Sequence, residues 1–205
     1  MPSRSDPKFV TRSLVRTLRG LCERHLSTLE RMGMGSLSPR DCLDLLSSLG
    51  HLTLGAWPVI SARERRGIAS RVEEYASRFG RIHARLGSHL DLMASEAAKA
   101  MAIEIRSSLV ELGVRLRDNP SAGLGWAVLH YDIIYPREKV GYAAEVYRML
   151  NLEVPSGWMD LVRGLDRDLR KFLEKALPVV RRAPDFVPNN PEEFPTSFWW
   201  ISMLS

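Results

Sequence analysis

The stretch ARERRGIASRVEEYASRFGRIHARLGSHLDLMASEAAKAMAIEIRSSLVELGVRLR, Ala62–Arg117, contains no proline. Its apolar residues fall at Ile68, Val72, Tyr75, Phe79, Ile82, Leu86, Leu90, Met93, Ala97, Met101, Ile105, Leu109, Leu112 and Leu116. That spacing stays close to the 3.6-residue period of an amphipathic helix. The run predicts one of two all-α arrangements. A continuous helix would extend about 84 Å at 1.5 Å per residue. Gly80 and Gly87, each costing roughly 1 kcal/mol in a helix interior, favour a kink or hairpin near Gly80–Ser88 instead.

The flanking sequence is helical too. Asp6 is placed to cap a first helix, with Pro7 at its first position. Val10, Leu14, Leu18, Leu21, His25, Leu29 and Met32 give that helix an apolar side, and the loop GMGSLS ends it. Ser38, Pro39 and Asp41 form a capping-box start for a second helix through Leu49, and Ser61 with Glu64 forms another at the head of the long run. After it, NPSAG breaks the chain at Asn119–Gly123. LGWAVLHYDIIY, Leu124–Tyr135, reads as a buried helix or a strand, and helix is preferred because no second strand is visible to pair with it. A helix follows from Pro136 to about Leu150. Ser156 caps the last one, which carries Trp158, Val162, Leu165, Leu169, Phe172 and Ala176 on one face. Pro184, Pro188, Pro191 and Pro195 make the remainder extended. The expectation is an all-α bundle with a long central helix or helical hairpin. It has a basic N-terminal helical arm over 1–35, a helical body over 36–183 and an extended Pro-rich tail over 184–205.

Composition narrows the function classes. At 205 residues, with 45% hydrophobic and 26% charged residues, the chain suits one sizeable folded domain with appendages. No apolar run reaches the roughly 20 residues of a membrane span. Arg12, Arg16 and Arg19 interrupt any signal-peptide core, so no signal peptide is expected and a cytoplasmic location fits. Cys22 and Cys42 stand alone and make no zinc pattern. Of 29 basic residues only five are lysine, there is no glutamine, and asparagine is scarce. This profile fits a hot environment or a GC-rich genome, and arginine also suits bidentate phosphate binding.

No motif identifies an enzyme. Phosphate-loop, dinucleotide and HExxH patterns are missing, and no cofactor or metal is implied. His83 and His89 are six residues apart, about 120° around a helix, so they do not converge on a metal. His130 and Asp132 would share a face only in a strand. Asp160, Asp166, Asp168 and Glu174 alternate with Arg163, Arg167, Arg170 and Lys171, as in a helix laced by local ion pairs.

The positive charge sits in two places. Residues 1–19 and 63–85 each carry a net +4, leaving the rest mildly acidic within a total of +5. Lys8, Arg12, Arg16 and Arg19 occupy an ~80° arc opposite the apolar side of the first helix, with Glu23 as the one interruption. Like charges at i,i+4 repel, and a bound polyanion would offset that cost. The alternatives are a solvated basic face and an acidic membrane surface. Arg71, Arg78, Arg81 and Arg85 form a second stripe beside an apolar face. Together with Arg4 these are the candidate nucleic-acid contacts. Scarce amide side chains argue against base-specific readout, and no aromatic residues interleave with the basic stripes as a stacking platform. At the other end, Phe198, Trp199, Trp200, Ile201 and Leu204 form an apolar terminus that must dock on its own body, on a neighbouring subunit or on a membrane surface. The reach of the Pro-rich segment before it favours a neighbour when the protein is assembled.

This plan resembles the helical nucleocapsid proteins of filamentous and coil-shaped archaeal viruses. The features that carry it are the basic arm RSDPKFVTRSLVRTLRG, the helical body, the composition and the aromatic terminus. The resemblance implies a non-enzymatic subunit that binds nucleic-acid backbone without sequence preference and assembles with copies of itself or a related subunit into a filament. A small helical subunit of a CRISPR-type effector complex shares the description. A helical enzyme with a scattered site and a peripheral membrane scaffold are the alternatives from other classes.

Overall fold

The computed structural model describes residues 7–33, 35, 37–55, 62–119, 124–176, 178 and 180–181. It is all-α: α1 (Pro7–Met32), α2 (Pro39–Gly50), α3 (Ala62–Asp118), a short α4 (Trp126–Leu129), α5 (Tyr135–Met149) and α6 (Trp158–Ala176). Five-residue π-helical turns follow α2 at His51–Gly55 and α4 at His130–Ile134. The Pro-rich tail and the aromatic end lie outside the described residues, as do Arg4, the Asp6 cap and Ser61.

The long run is one helix. The kink or hairpin favoured by its glycines does not form, and α3 is continuous through Gly80 and Gly87. At Gly87 the missing side chain has a use, because an added Cβ would come within 3.0 Å of the His83 ring. The bare backbone lets that ring lie along the helix. The expected apolar series is otherwise the buried one, with Ile68, Val72, Tyr75, Phe79, Ile82, Leu90, Ala97, Met101, Ile105, Leu109 and Leu112 in the core. Leu92, Ile103 and Val110 are exposed on another face.

The chain divides into two compact units, Met1–Ala97 with Gly141–Pro155 and Ala98–Val140 with Ser156–Ser205. In the first, α2 begins with the expected capping box. Ser38 Oγ accepts from the Asp41 N–H at 3.2 Å, and Asp41 Oδ2 accepts from the Ser38 N–H at 2.9 Å. The end of α2 abuts the backbone of α5. A Cβ on Gly50 would stand 2.3 Å from the Tyr142 carbonyl oxygen, and the adjacent His51 ring stacks on Tyr142 at 4.6 Å. Val15, Leu18, Cys22, Leu26 and Leu29 of α1 are all buried. From Val15 onward the first helix is therefore part of a core rather than a separable arm, and the expected boundary at residue 35 falls within this unit. After α5, Asn151 takes a left-handed conformation (φ 53°). The N–H groups of Asn151 and Leu152 donate to the carbonyls of Arg148 and Tyr147, closing the helix end.

In the second unit, Leu124–Gly125 does find a partner, a two-residue parallel pairing with Val180–Arg181. Helix begins at Trp126, so the reading of this stretch holds except at its first two residues. Helical bonding in α6 starts one residue later than expected, with the Leu161 N–H donating to the Gly157 carbonyl at 3.0 Å. Its acids also differ from expectation. Asp160 pairs locally with Arg163, but Asp166 and Asp168 reach other elements, at Arg137 and Arg106 respectively. Trp158 is buried and its indole N–H donates to the Val140 carbonyl at 3.2 Å.

Candidate nucleic-acid interface

α1 presents its charges as the sequence requires. Val15, Leu18 and Cys22 turn inward, while Arg16, Arg19, Arg24 and Arg31 are exposed. Lys8 and Arg12 lie on the same helix, about two turns and one turn before Arg16 respectively. Further along that side, the stripe changes sign at Glu23 and Glu30. Both carboxylates meet one guanidinium, that of Arg78 on α3. Arg78 Nη1 donates to Glu23 at 2.8 Å, Nε and Nη2 donate to Glu30 at 2.9 and 2.8 Å, and Nη2 also donates to Ser27 Oγ at 3.0 Å. These hydrogen bonds, chiefly those from Arg78, hold both carboxyls below the usual glutamate range.

Arg78 is thus engaged inside the protein, with its side chain only 12% exposed. It departs from the phosphate-facing role expected of the second stripe, because two acids of α1 occupy its donors. The other members differ. Arg71 is exposed and paired with Glu74 at 2.8 Å, Arg81 is exposed with one bond to Ser77 Oγ, and Arg85 reaches the Leu29 carbonyl at 3.4 Å while remaining exposed.

The order of these contacts fixes a direction. Glu23 senses Arg71 and Arg78, Glu30 senses Arg78 and Arg81, and the Leu29 carbonyl meets Arg85. Positions rise together in both helices, so α1 and α3 run in the same sense. Their first halves therefore lie toward one end of this unit. That end carries Lys8, Arg12, Arg16 and Arg19 from α1, and Arg63, Arg65 and Arg66 from the first turns of α3, against Glu64. Arg66 is exposed. Arg63, Arg65 and Arg66 belong to the basic excess of residues 63–85 but not to the Arg71–Arg85 stripe. Their signal was density of charge, since they do not fall on a helical stripe. Farther along the pair, Arg78 offsets part of the charge of Glu23 and Glu30, while Arg16, Arg19 and Arg66 toward the leading end are exposed.

A second polar group lies in the same unit. His83 Nε2 is 3.0 Å from Asp91 Oδ1, eight residues on, and Tyr147 on α5 donates its hydroxyl to the same oxygen at 2.7 Å. Burial, followed by this bond, raises the Tyr147 phenol above its ordinary value. His89 is exposed and takes no part. Spacing had set aside His83 with His89; the partner it missed was 56 residues from Asp91, with Gly87 as the local sign of room for the ring. Cys22 and Cys42 are both buried free thiols, pushed up to about 12 and about 11 by burial and by the neighbouring Glu23 and Asp41. Such thiols are poor nucleophiles. Among the described residues, no group of three or more His, Cys, Asp or Glu side chains is placed to hold a metal ion. None of the described helices is long and apolar enough to cross a membrane. Comparison with family models, with curated proteins and with solved structures gives no match for this chain.

Proposed function

We propose that this chain is a non-enzymatic protein that binds the phosphate backbone of nucleic acid without sequence preference. The observation that carries the reading is the shared direction of α1 and α3, which sets the exposed Arg16 and Arg19 of α1 and the exposed Arg66 of α3 toward one end, while Arg78 pairs with Glu23 and Glu30. Arginine-rich surfaces suit phosphate because each guanidinium offers a fork of donors. Scarce amide side chains agree with contacts to backbone rather than to base edges. The most specific form of the reading is a nucleocapsid subunit that coats its nucleic acid. In that form the terminal segment from Phe198 to Leu204 joins neighbouring copies. Electron microscopy with and without nucleic acid tests the assembly: filaments are expected, and a discrete particle in both conditions counts against the capsid form.

Backbone binding has its own test. Each phosphate neutralised steepens the fall of log affinity with log salt by about 0.9 on duplex DNA. The double substitution Arg16→Ala with Arg19→Ala should reduce that slope by about 2 on a random duplex, with the melting temperature nearly unchanged because both side chains are exposed. An unaltered slope would show that α1 does not contact the backbone.

A further inference from the structure

The second unit holds a cluster of rings that no periodicity revealed. It is built on the π-helical turn His130–Ile134. Leu129, Ile133 and Ile134 are fully buried and anchor the turn. Tyr131 points away from them and is 67% exposed, unusual for a large ring on a helix. Its ring meets the edge of His130 at 5.1 Å and 83°. His130 in turn stacks on Tyr135 at 6.1 Å and 28°, and Lys139 places its Nζ 5.2 Å from the Tyr135 ring centre. The row therefore runs from an open phenol through an imidazole and a second phenol to a cation.

The π turn is what makes the row. An α-helical turn would leave residues 130 and 135 about 140° apart, whereas the wider π turn brings i and i+5 to one side. The expectation of no aromatic platform concerns the basic stripes and does not extend to this turn. π-Helical turns are rare and recur at functional sites.

We propose that this row, with Tyr131 as its open end, is a stacking surface for unpaired nucleobases of single-stranded nucleic acid, an inference that rests on the backbone-binding reading above. Four features favour a base over a protein side chain as occupant. The exposed member is a flat ring, and every base has a π face to set against it. Two further rings behind it hold it in place, so little side-chain freedom is lost on binding. Burial holds His130 below its ordinary pKa, so at neutral pH the imidazole is uncharged and can stack without a counter-ion. Lys139, over the Tyr135 ring at the far end of the row, adds positive charge to a surface that would meet a polyanion. Stacking would add base-dependent but sequence-tolerant affinity to a backbone grip that ignores the bases.

The test uses the full chain and three probes: a 20-nucleotide oligothymidylate, an abasic strand of equal length, and a random duplex. Wild type should bind oligothymidylate about ten-fold more tightly than the abasic strand. Tyr131→Ala should remove most of that preference and leave abasic and duplex affinities unchanged, and Tyr131→Trp should restore it. A preference that survives Tyr131→Ala overturns the stacking surface. Equal wild-type binding of the two single strands also overturns it, and leaves the exposed ring to a protein partner. The two readings fail separately. If Arg16→Ala with Arg19→Ala weakens all three probes while Tyr131→Ala changes nothing, backbone binding stands and stacking falls. If only oligothymidylate binds, and through Tyr131, stacking stands and the backbone reading falls. If wild type binds no probe, both fall.

Discussion

Two arginines anchor the two units, and they do so under different physics. Arg78 joins α1 to α3 through Glu23 and Glu30, whose side chains are 51% and 37% exposed. Arg137 makes a two-pronged pair with Asp166, at 2.7 and 2.8 Å, with its own side chain 1% exposed. The first pair is wet on its acidic side and therefore weak and screened. The second has given up its hydration, so the acceptor must be present once the guanidinium is inside. One arginine tempers the surface field, by offsetting part of the charge of two acids of α1. The other fixes a packing arrangement. Ion-pair distances, which are nearly the same in the two, do not tell them apart; exposure does.

The sharpest way to break the contrast is Asp166→Ala. It leaves a buried guanidinium without its bidentate acceptor and should cost about 3–5 kcal/mol of unfolding free energy. Denaturation at low and at 1 M salt should give the same loss, and a salt-sensitive loss would place this pair in the same class as Arg78. A smaller effect is expected beside it. Glu138 is buried, and burial pushes its carboxyl up to about 8 despite the adjacent Arg137 guanidinium, which acts the other way. Its folded value lies above its unfolded one, so the folded state holds the extra proton. Stability should therefore fall as pH rises from about 4.5 to about 8, and level off above that. Glu138→Gln should flatten this window and raise stability at pH 8, as read from urea midpoints across pH. The smallest effect is Arg78→Ala, about 1 kcal/mol at low salt and near zero at 1 M. Its larger consequence should be electrostatic, because Glu23 and Glu30 lose their counter-charge and affinity for any polyanion should drop without a direct contact having been removed.

Helical periodicity made most of the fold legible. The buried series along α3 is nearly the one its spacing predicts, and the capping box at Ser38 and Asp41 forms as read. Continuity at Gly80 and Gly87 was not legible, because propensity counts only the backbone cost of glycine; at Gly87 it cannot see the His83 ring in the vacated space, while at Gly80 an added Cβ would meet nothing within 4 Å. The short pairing at Leu124–Gly125 was hidden for a related reason: two residues carry no alternation to detect. At the candidate interface, the outward side of α1 followed from its amphipathic pattern, and Arg16 and Arg19 are where that pattern puts them. Arg78 carries the same charge at the same period as its neighbours. Only the fold distinguishes it, by bringing Glu23 and Glu30 within reach from about 50 residues away. The ring cluster at Tyr131 depends on a π turn, and a search at the α-helical period passes over it.

The first unit is discontinuous in the chain, and its second piece carries the Tyr142 that meets Gly50 and the Tyr147 that meets Asp91. During synthesis from the N-terminus, α1, α2 and the start of α3 emerge long before the helix that completes their core. At 5–20 residues per second, the wait between residue 97 and residue 155 is about 3–12 s. Over that interval the nascent chain exposes apolar surface that only a distant segment can cover, and all of residues 98–140 must emerge first. The fold therefore places its earliest-made core under the control of a late-made helix. A chain ended after Ala97 would lack the 141–155 piece of the first unit, and with it Tyr142 and Tyr147.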